Sequence, residues 1–382
     1  MLSFTRSALR LKLTRGFASS TRLFDRAVVY STNGNPAEVL RVLTYPDISP
    51  PGPSTVNIRF LLSPINPADL NVVEGVYPKK PNPADALSQF ESDVDESPTF
   101  VGGNEGVARV TAIGDGIDNL KVNDMVVMVK QQTGTWATQR NVSSDDVLKL
   151  SSSQLTEVQA ATLTVNPPTA YNMLKDFVDL QPGDWVLQNG ANSAVGQAVI
   201  QIAAARGLKT INLIRDRPDV ESLKKDLKKL GATYVLTYED LANKTLKAQI
   251  KQWTGDKAIR LALNCVGGNE TTLMARYLGQ DGHLVSYGAM SKKPLSLPTS
   301  LFIFKNLTCH GFWQSQWYLT KSPEQRQHMM QQLVALIEQN KLRMTTHEII
   351  SISATLSDQE ATTKIQNLLR DVGRGKILLK IE

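Results

Sequence analysis

The segment Gln188-Asn189-Gly190-Ala191-Asn192-Ser193-Ala194-Val195-Gly196 constrains this chain more than any other stretch. It follows a strand-like apolar run, Trp185-Val186-Leu187-Gln188, and leads into a helix-like run over 195–205. Small residues at such a turn let the backbone approach a pyrophosphate. The helix N-terminus adds free N–H groups and the positive end of its dipole. The spacing is not a full GxGxxG, since glycine occupies 190 and 196 with Ala194 between them. A strand, a glycine turn and a helix recur in many α/β proteins, so the flanks carry the reading.

Those flanks continue the same rhythm. Strands are predicted at Thr210-Ile211-Asn212-Leu213-Ile214, Tyr234-Val235-Leu236, Leu261-Ala262-Leu263 and Leu284-Val285-Ser286-Tyr287, with helices around 223–230, 240–253 and 270–279. Alternation of this kind predicts a Rossmann-type, doubly wound parallel sheet. An amphipathic helix over 324–340 and a final strand over 376–381 follow. The first 150 residues differ. Short β runs at 27–30, 39–43, 56–60, 107–114, 125–130 and 136–142 predict a compact barrel-like domain. Residues 81–99 hold five acids, three prolines and no basic residue, the composition of a solvated loop. The expected fold class is α/β, a β-barrel-type domain beside a Rossmann doubly wound sheet, and 382 residues suit two domains. The predicted boundaries are a leader over 1–24, a β-rich part over 25–160, a doubly wound part over 161–312 and a C-terminal segment over 313–382, which the resemblance given below makes a first catalytic part, a cofactor domain and a catalytic return.

The leader carries Arg6, Arg10, Lys12, Arg15 and Arg22, with Asp25 the first acid. Arginine, serine, threonine and leucine without acids are the composition of a mitochondrial transit peptide, and basic residues interrupt any secretory apolar core. The whole chain has 42 basic and 36 acidic residues. With five of the basic ones in the leader, the remainder is close to neutral, which gives no support to nucleic-acid binding. No run of about 18 apolar residues spans a membrane. Two cysteines, Cys265 and Cys309, are too few for a disulfide framework.

The strand after the glycine turn ends at Ile214 and is followed by Arg215-Asp216-Arg217. A carboxylate there would suit the ribose 2′-OH of NAD, whereas two guanidinium groups suit a 2′-phosphate. The expected cofactor is therefore NADPH. The alternative is an exposed basic turn in which Asp216 neutralises one arginine. Metal chemistry has few ligands to work with. His283, His310, His328 and His347 and both cysteines lie beyond residue 264, leaving the β-rich half without either type. No metal site is expected. His283 and His310 read as packed or edge residues, and Cys265 as inert core at a strand end.

A β domain without zinc ligands, a nucleotide-binding domain and a return to the first resembles the quinone oxidoreductase-like branch of the medium-chain dehydrogenases, whose catalytic domain is GroES-like. Gly103-Asn104-Glu105-Gly106 looks like the GHE motif of zinc alcohol dehydrogenases with its ligand histidine replaced by Asn104. Further motifs are Ile65-Asn66-Pro67-Ala68-Asp69, Gly75-Val76-Tyr77-Pro78, Val165-Asn166-Pro167-Pro168-Thr169-Ala170-Tyr171, Tyr287-Gly288-Ala289-Met290, Pro298-Thr299-Ser300-Leu301 and Gly311-Phe312-Trp313. These resemble the mitochondrial trans-2-enoyl-thioester reductases of type II fatty acid synthesis, over nearly everything after the leader. Ala289 departs from the glycine expected there.

The resemblance implies reduction of enoyl-ACP or enoyl-CoA with NADPH in the mitochondrial matrix, and a homodimer pairing edge strands of two cofactor domains. It maps the catalytic tyrosine to Tyr77. It maps cofactor contacts to Asn166, Asn192, Ser193, Ala194, Val195, Arg215, Arg217, Tyr287, Gly288, Ala289, Met290, Phe312, Trp313 and Lys376. Asn66 is a candidate to orient Tyr77 or the nicotinamide amide, against a plain turn residue before Pro67. Phe312 and Trp313 are candidates to line an acyl tunnel. Lys79 and Lys80 are candidates to meet an acidic acyl carrier protein. Two other functions compete: a quinone or enone reductase of the same fold, and an RNA-binding or structural relative.

Overall fold

The computed structural model describes residues 24–84, 87, 90, 97–150, 154–255, 257–370 and 375–382. The leader and most of the acidic stretch between 85 and 96 lie outside the described residues. The N-terminal half supplies strands β1 (Phe24–Tyr30), β2 (Arg41–Pro46), β3 (Thr55–Ile65), β4 (Phe100–Val101), β5 (Val107–Ile113), β6 (Met125–Met128), β7 (Gln139–Ser143) and β8 (Val147–Lys149). The middle supplies β9 (Trp185–Gln188), β10 (Lys209–Ile214), β11 (Tyr234–Thr237), β12 (Leu261–Asn264), β13 (His283–Ser286) and β14 (Thr308–Gly311), and the C-terminus adds β15 (His347–Ile352) and β16 (Lys376–Ile381).

Strands β9 to β14 form one sheet in the order β11-β10-β9-β12-β13-β14, every pair parallel. The order reverses between β9 and β12, so their C-terminal ends open the crevice in which such sheets bind nucleotides. A second sheet runs β15-β16-β3-β5-β6-β8, with β7 also on β3. A three-stranded sheet, β2-β1-β4, closes over it. The largest core cluster crosses between the units: Leu62 and Val127 of the barrel share it with Val186, Leu263 and Val285 of the parallel sheet. Apolar burial across that seam holds the crevice walls in fixed relation.

Some local expectations change. The strand predicted over 39–43 begins only at Arg41, because Asn35 caps a short helix, Pro36–Val39, by accepting from Ala37 N at 3.1 Å. Proline is preorganised for the first helical turn. The predicted strand over 136–142 is divided. Trp136 O accepts from Val28 N and Arg26 O from Thr138 N, which ties this part to the small sheet and leaves β7 to start at Gln139. The predicted helix over 240–253 breaks at Asn243, whose side-chain oxygen takes the Thr245 N–H at 2.9 Å, so the α-helix spans Leu246–Thr254. A polar side chain that bonds its own backbone competes with the helix.

Candidate active site

The cofactor-side wall begins where β9 ends. Gly190 has φ 59, and a Cβ there would sit 2.4 Å from the Cys265 Sγ, so only glycine fits this turn. Ser193 caps the helix Ala194–Ala205 by accepting from Gly196 N at 3.1 Å. Asn192, Ala194 and Val195 stay partly open around that helix N-terminus. Beneath the turn, buried amides stitch three strand ends together. Gln188 donates to the Asn212 side chain at 2.8 Å, and Asn189 donates to Asn264 Oδ1 at 2.8 Å and accepts from Cys265 N at 2.8 Å. These amides were missed in the sequence, since a strand ending in Gln or Asn reads simply as a turn.

Arg215 is exposed and Arg217 half-buried just beyond β10. Asp216 accepts the Arg217 backbone N–H at 2.9 Å. Among the described residues neither guanidinium is ion-paired, so both forks are free for an anion. The segment from Tyr287 to Met290 folds over Cys265: Tyr287 N donates to Asn264 O and Met290 N to Cys265 O, both at 2.9 Å. Gly288, Ala289 and Met290 are exposed. The Tyr287 hydroxyl is buried beside Cys265 and Ser193, and burial raises its pKa well above the ordinary phenol. The backbone turn, the open helix N-terminus and the paired arginines together suit a dinucleotide phosphate chain with a third phosphate beside Arg215 and Arg217.

The opposite wall comes from the barrel. Tyr77 follows the helix Pro67–Val73 and meets Trp313, which leaves the parallel sheet just after β14. The Trp313 Nε1–H donates to the Tyr77 Oη at 2.8 Å, and the rings meet edge-on at 5.7 Å. Burial raises the Tyr77 pKa, with Trp313 and Ser315 pulling the other way. Phe312 turns elsewhere, packing edge-on against Phe177 at 6.0 Å. A cavity of about 310 Å³ opens beside Tyr77, lined by Val72, Gly75, Lys79, Lys80, Phe100 and the buried Tyr30.

A third group lies behind these walls. β16 pairs with β3 so that Ile377 faces Ile65, which brings Lys376 beside Asn66. Lys376 Nζ donates to Asn66 Oδ1, and Asn166 Nδ2 donates to the same oxygen at 3.1 Å. Asn66 in turn donates to Glu105 Oε2 at 2.7 Å. Asp69 accepts from Asn66 N at 2.6 Å and from the Asn104 amide. Burial pushes the Asp69 carboxyl up to about 6 and the Glu105 carboxyl up to about 7, while it pushes the Lys376 amine down. Asp69 and Glu105 were missed as site residues, although Glu105 stood inside a glycine-flanked motif.

Residues 194–339 match a protein family described as zinc-binding dehydrogenase. The chain is 45% identical over 328 residues to a protein of Yarrowia lipolytica named mitochondrial enoyl-[acyl-carrier-protein] reductase, covering 86% of this chain and 84% of the other. It is 42% identical over 339 residues to the Homo sapiens protein of that name, covering 89% and 86% respectively. The solved complex of Etr1p with NADP and crotonyl-CoA superposes with a TM-score of 0.87 at 34% identity, over 94% of this chain and 100% of that one.

The donor set here does not suit a zinc ion. The Asn104 side chain is spent on Asp69 and on the Gln132 N–H at 2.7 Å. Among the described residues no group of three or more His, Cys, Asp or Glu is placed to hold a metal.

Proposed function

This chain belongs to the mitochondrial enoyl-[acyl-carrier-protein] reductase family, and we propose that it reduces trans-2-enoyl thioesters with NADPH, Tyr77 serving as the proton-donating residue. The observation that carries the role of Tyr77 is its hydrogen bond from Trp313. An indole N–H can only donate, so the phenol oxygen accepts from it and the phenol's own proton is left for another acceptor. The raised pKa of Tyr77 keeps that proton in place at neutral pH.

Saturation of the double bond requires a hydride at C3 and a proton at C2. When bound, the nicotinamide supplies the hydride. Negative charge then builds on the thioester oxygen and C2, where the Tyr77 hydroxyl donates a hydrogen bond and then its proton. The phenolate left behind accepts from Trp313. The turn over 190–196 and the segment over 287–290 hold the dinucleotide, Arg215 and Arg217 its 2′-phosphate, and Asn166 and Lys376 the end nearest the chemistry. The cavity beside Tyr77 takes the acyl group. The test is NADPH oxidation with crotonyl-CoA against a quinone panel. Turnover on quinones alone would replace this reading with the quinone reductase one.

The enzyme is mitochondrial, and the matrix is the compartment proposed, addressed by the basic leader. Acyl carrier protein is the proposed natural carrier. Exposed Lys79 and Lys80 flank the cavity mouth and suit its acidic surface. A homodimer is proposed through β14, an unpaired edge strand next to exposed Phe302, Ile303 and Phe304. Among the described residues no helix is long and apolar enough to cross a membrane.

A further inference from the structure

Glu105 is fully buried, and nothing in the chemistry above uses it. Its segment is pressed inward: a Cβ on Gly102 would lie 2.3 Å from Trp136 Cε3, and Thr135 Oγ1 donates to the Glu105 carbonyl at 2.8 Å. One carboxylate oxygen accepts from Asn66 at 2.7 Å, and Lys376 and the Thr164 backbone are the carboxylate's other polar neighbours. Desolvation by burial outweighs these partners, so the buried carboxylate costs stability.

We infer that Glu105 is a positioning residue of this site, one that fixes the Asn66 amide and through it the Lys376 ammonium and the Asn166 amide; the inference rests on the cofactor contacts proposed above. An ionised carboxylate can only accept, so it forces the NH₂ of Asn66 toward itself. The amide oxygen then faces the other way, where Lys376 and Asn166 both donate to it. A neutral group at 105 offers a donor as well, and the amide loses its forced orientation.

The titratable groups that face Glu105 are Lys376 from β16, Asp69 from the helix Pro67–Val73 and Tyr318 from the helix Gln314–Thr320. Two acids share one ammonium there, so the cluster titrates as a unit near neutrality. Protonation of Glu105 releases the amide, and the chemical step slows on the acid side.

Glu105→Gln tests this. A carboxylate kept only for the fold would lose stability on the change; one kept for positioning at a cost in stability would not. The variant should match or exceed wild type in Tm at pH 8. It should lose about 10- to 100-fold in kcat with crotonyl-CoA, the scale of a small misplacement, while Kd for NADPH changes less. The acid limb of the kcat profile should flatten, because the carboxyl whose protonation releases the amide is gone and Gln holds the released state at every pH. In a Lys376→Met background the same change should cost less than threefold. Normal kcat with an unchanged acid limb overturns the inference, as does a variant that fails to fold or a full additional loss in the Lys376→Met background. Failure of the underlying reading would show separately, as wild-type enzyme that binds NADPH yet does not reduce crotonyl-CoA.

Discussion

The two walls of the crevice are built from opposite kinds of polar chemistry. On the cofactor side, Gln188, Asn189, Asn212 and Asn264 join the strand ends through neutral amides. On the barrel side, Asp69, Glu105 and Lys376 bury charge around Asn66. Amides hold their hydrogen bonds at any pH an enzyme meets, whereas buried carboxyls pushed up to about 6 and about 7 change charge within it. The amide network beneath the turn over 190–196 is therefore indifferent to pH, and the charged cluster around Asn66 is sensitive to it.

The largest effect expected sharpens the barrel side. Tyr77→Phe removes one oxygen while the ring still packs on Trp313, so kcat on a trans-2-enoyl thioester should fall by about 10²–10⁴-fold. Tm and NADPH affinity should barely move. Turnover within threefold of wild type would remove Tyr77 from the chemistry and leave a quinone reductase as the stronger reading.

The cofactor side should break differently. Arg215→Ala with Arg217→Ala should weaken NADPH binding, each lost charged hydrogen bond being worth roughly 1.5–3 kcal/mol. NADH binding should hold, and kcat at saturating NADPH should change little. Retained NADPH preference in a titration of the double variant would refute the assignment of the 2′-phosphate.

The smallest effect compares the walls in one experiment. Asp69 and Glu105 bind a proton more tightly folded than unfolded, since their folded pKa values lie above the ordinary carboxyl range. Their stabilising contribution is fully present below about pH 4 and disappears as pH rises through about 6 and 7. Between pH 5.5 and 8 the Tm of the wild type should fall by a few degrees. NADPH affinity should weaken only toward the acid end of the same range, where its 2′-phosphate gains a proton at about pH 6. A Tm that climbs across that window would mean the carboxyls are better paired than the geometry shows.

How much of this was legible depends on the range of each interaction. The loop over 188–196 and the strand over 376–381 stood out because residue type and local period determine them within a few positions. The helix Asn166–Asp176 did not: Pro167-Pro168 reads as a breaker, yet both prolines sit in its first turn, where no intrahelical N–H bond is lost. The contact between Tyr77 and Trp313 spans 236 positions and that between Asn66 and Lys376 spans 310, and no spacing rule reaches so far. Resemblance singled out Tyr77, Trp313 and Lys376 one by one, without either contact. Glu105 escaped because its bond with Asn66 spans 39 positions and is visible once β3 and the segment after β4 are packed together.

The placement of β16 has a consequence for how the molecule is assembled. This strand is the last regular element of the chain, yet it sits between β15 and β3 in the interior of its sheet. The Ser63–Ile65 end of β3, beyond the stretch that β7 covers, therefore stays unpaired on that side until a segment some 310 positions later arrives, a long-range closure of the kind that folds slowly. A chain stopped at residue 374 should stay protease-sensitive throughout the barrel while the parallel sheet keeps its own protection, and equal protection of both would show that the barrel closes without its last strand. The cluster around Asn66 thus waits on a pairing between segments 310 positions apart, whatever the order in which the rest of the fold forms.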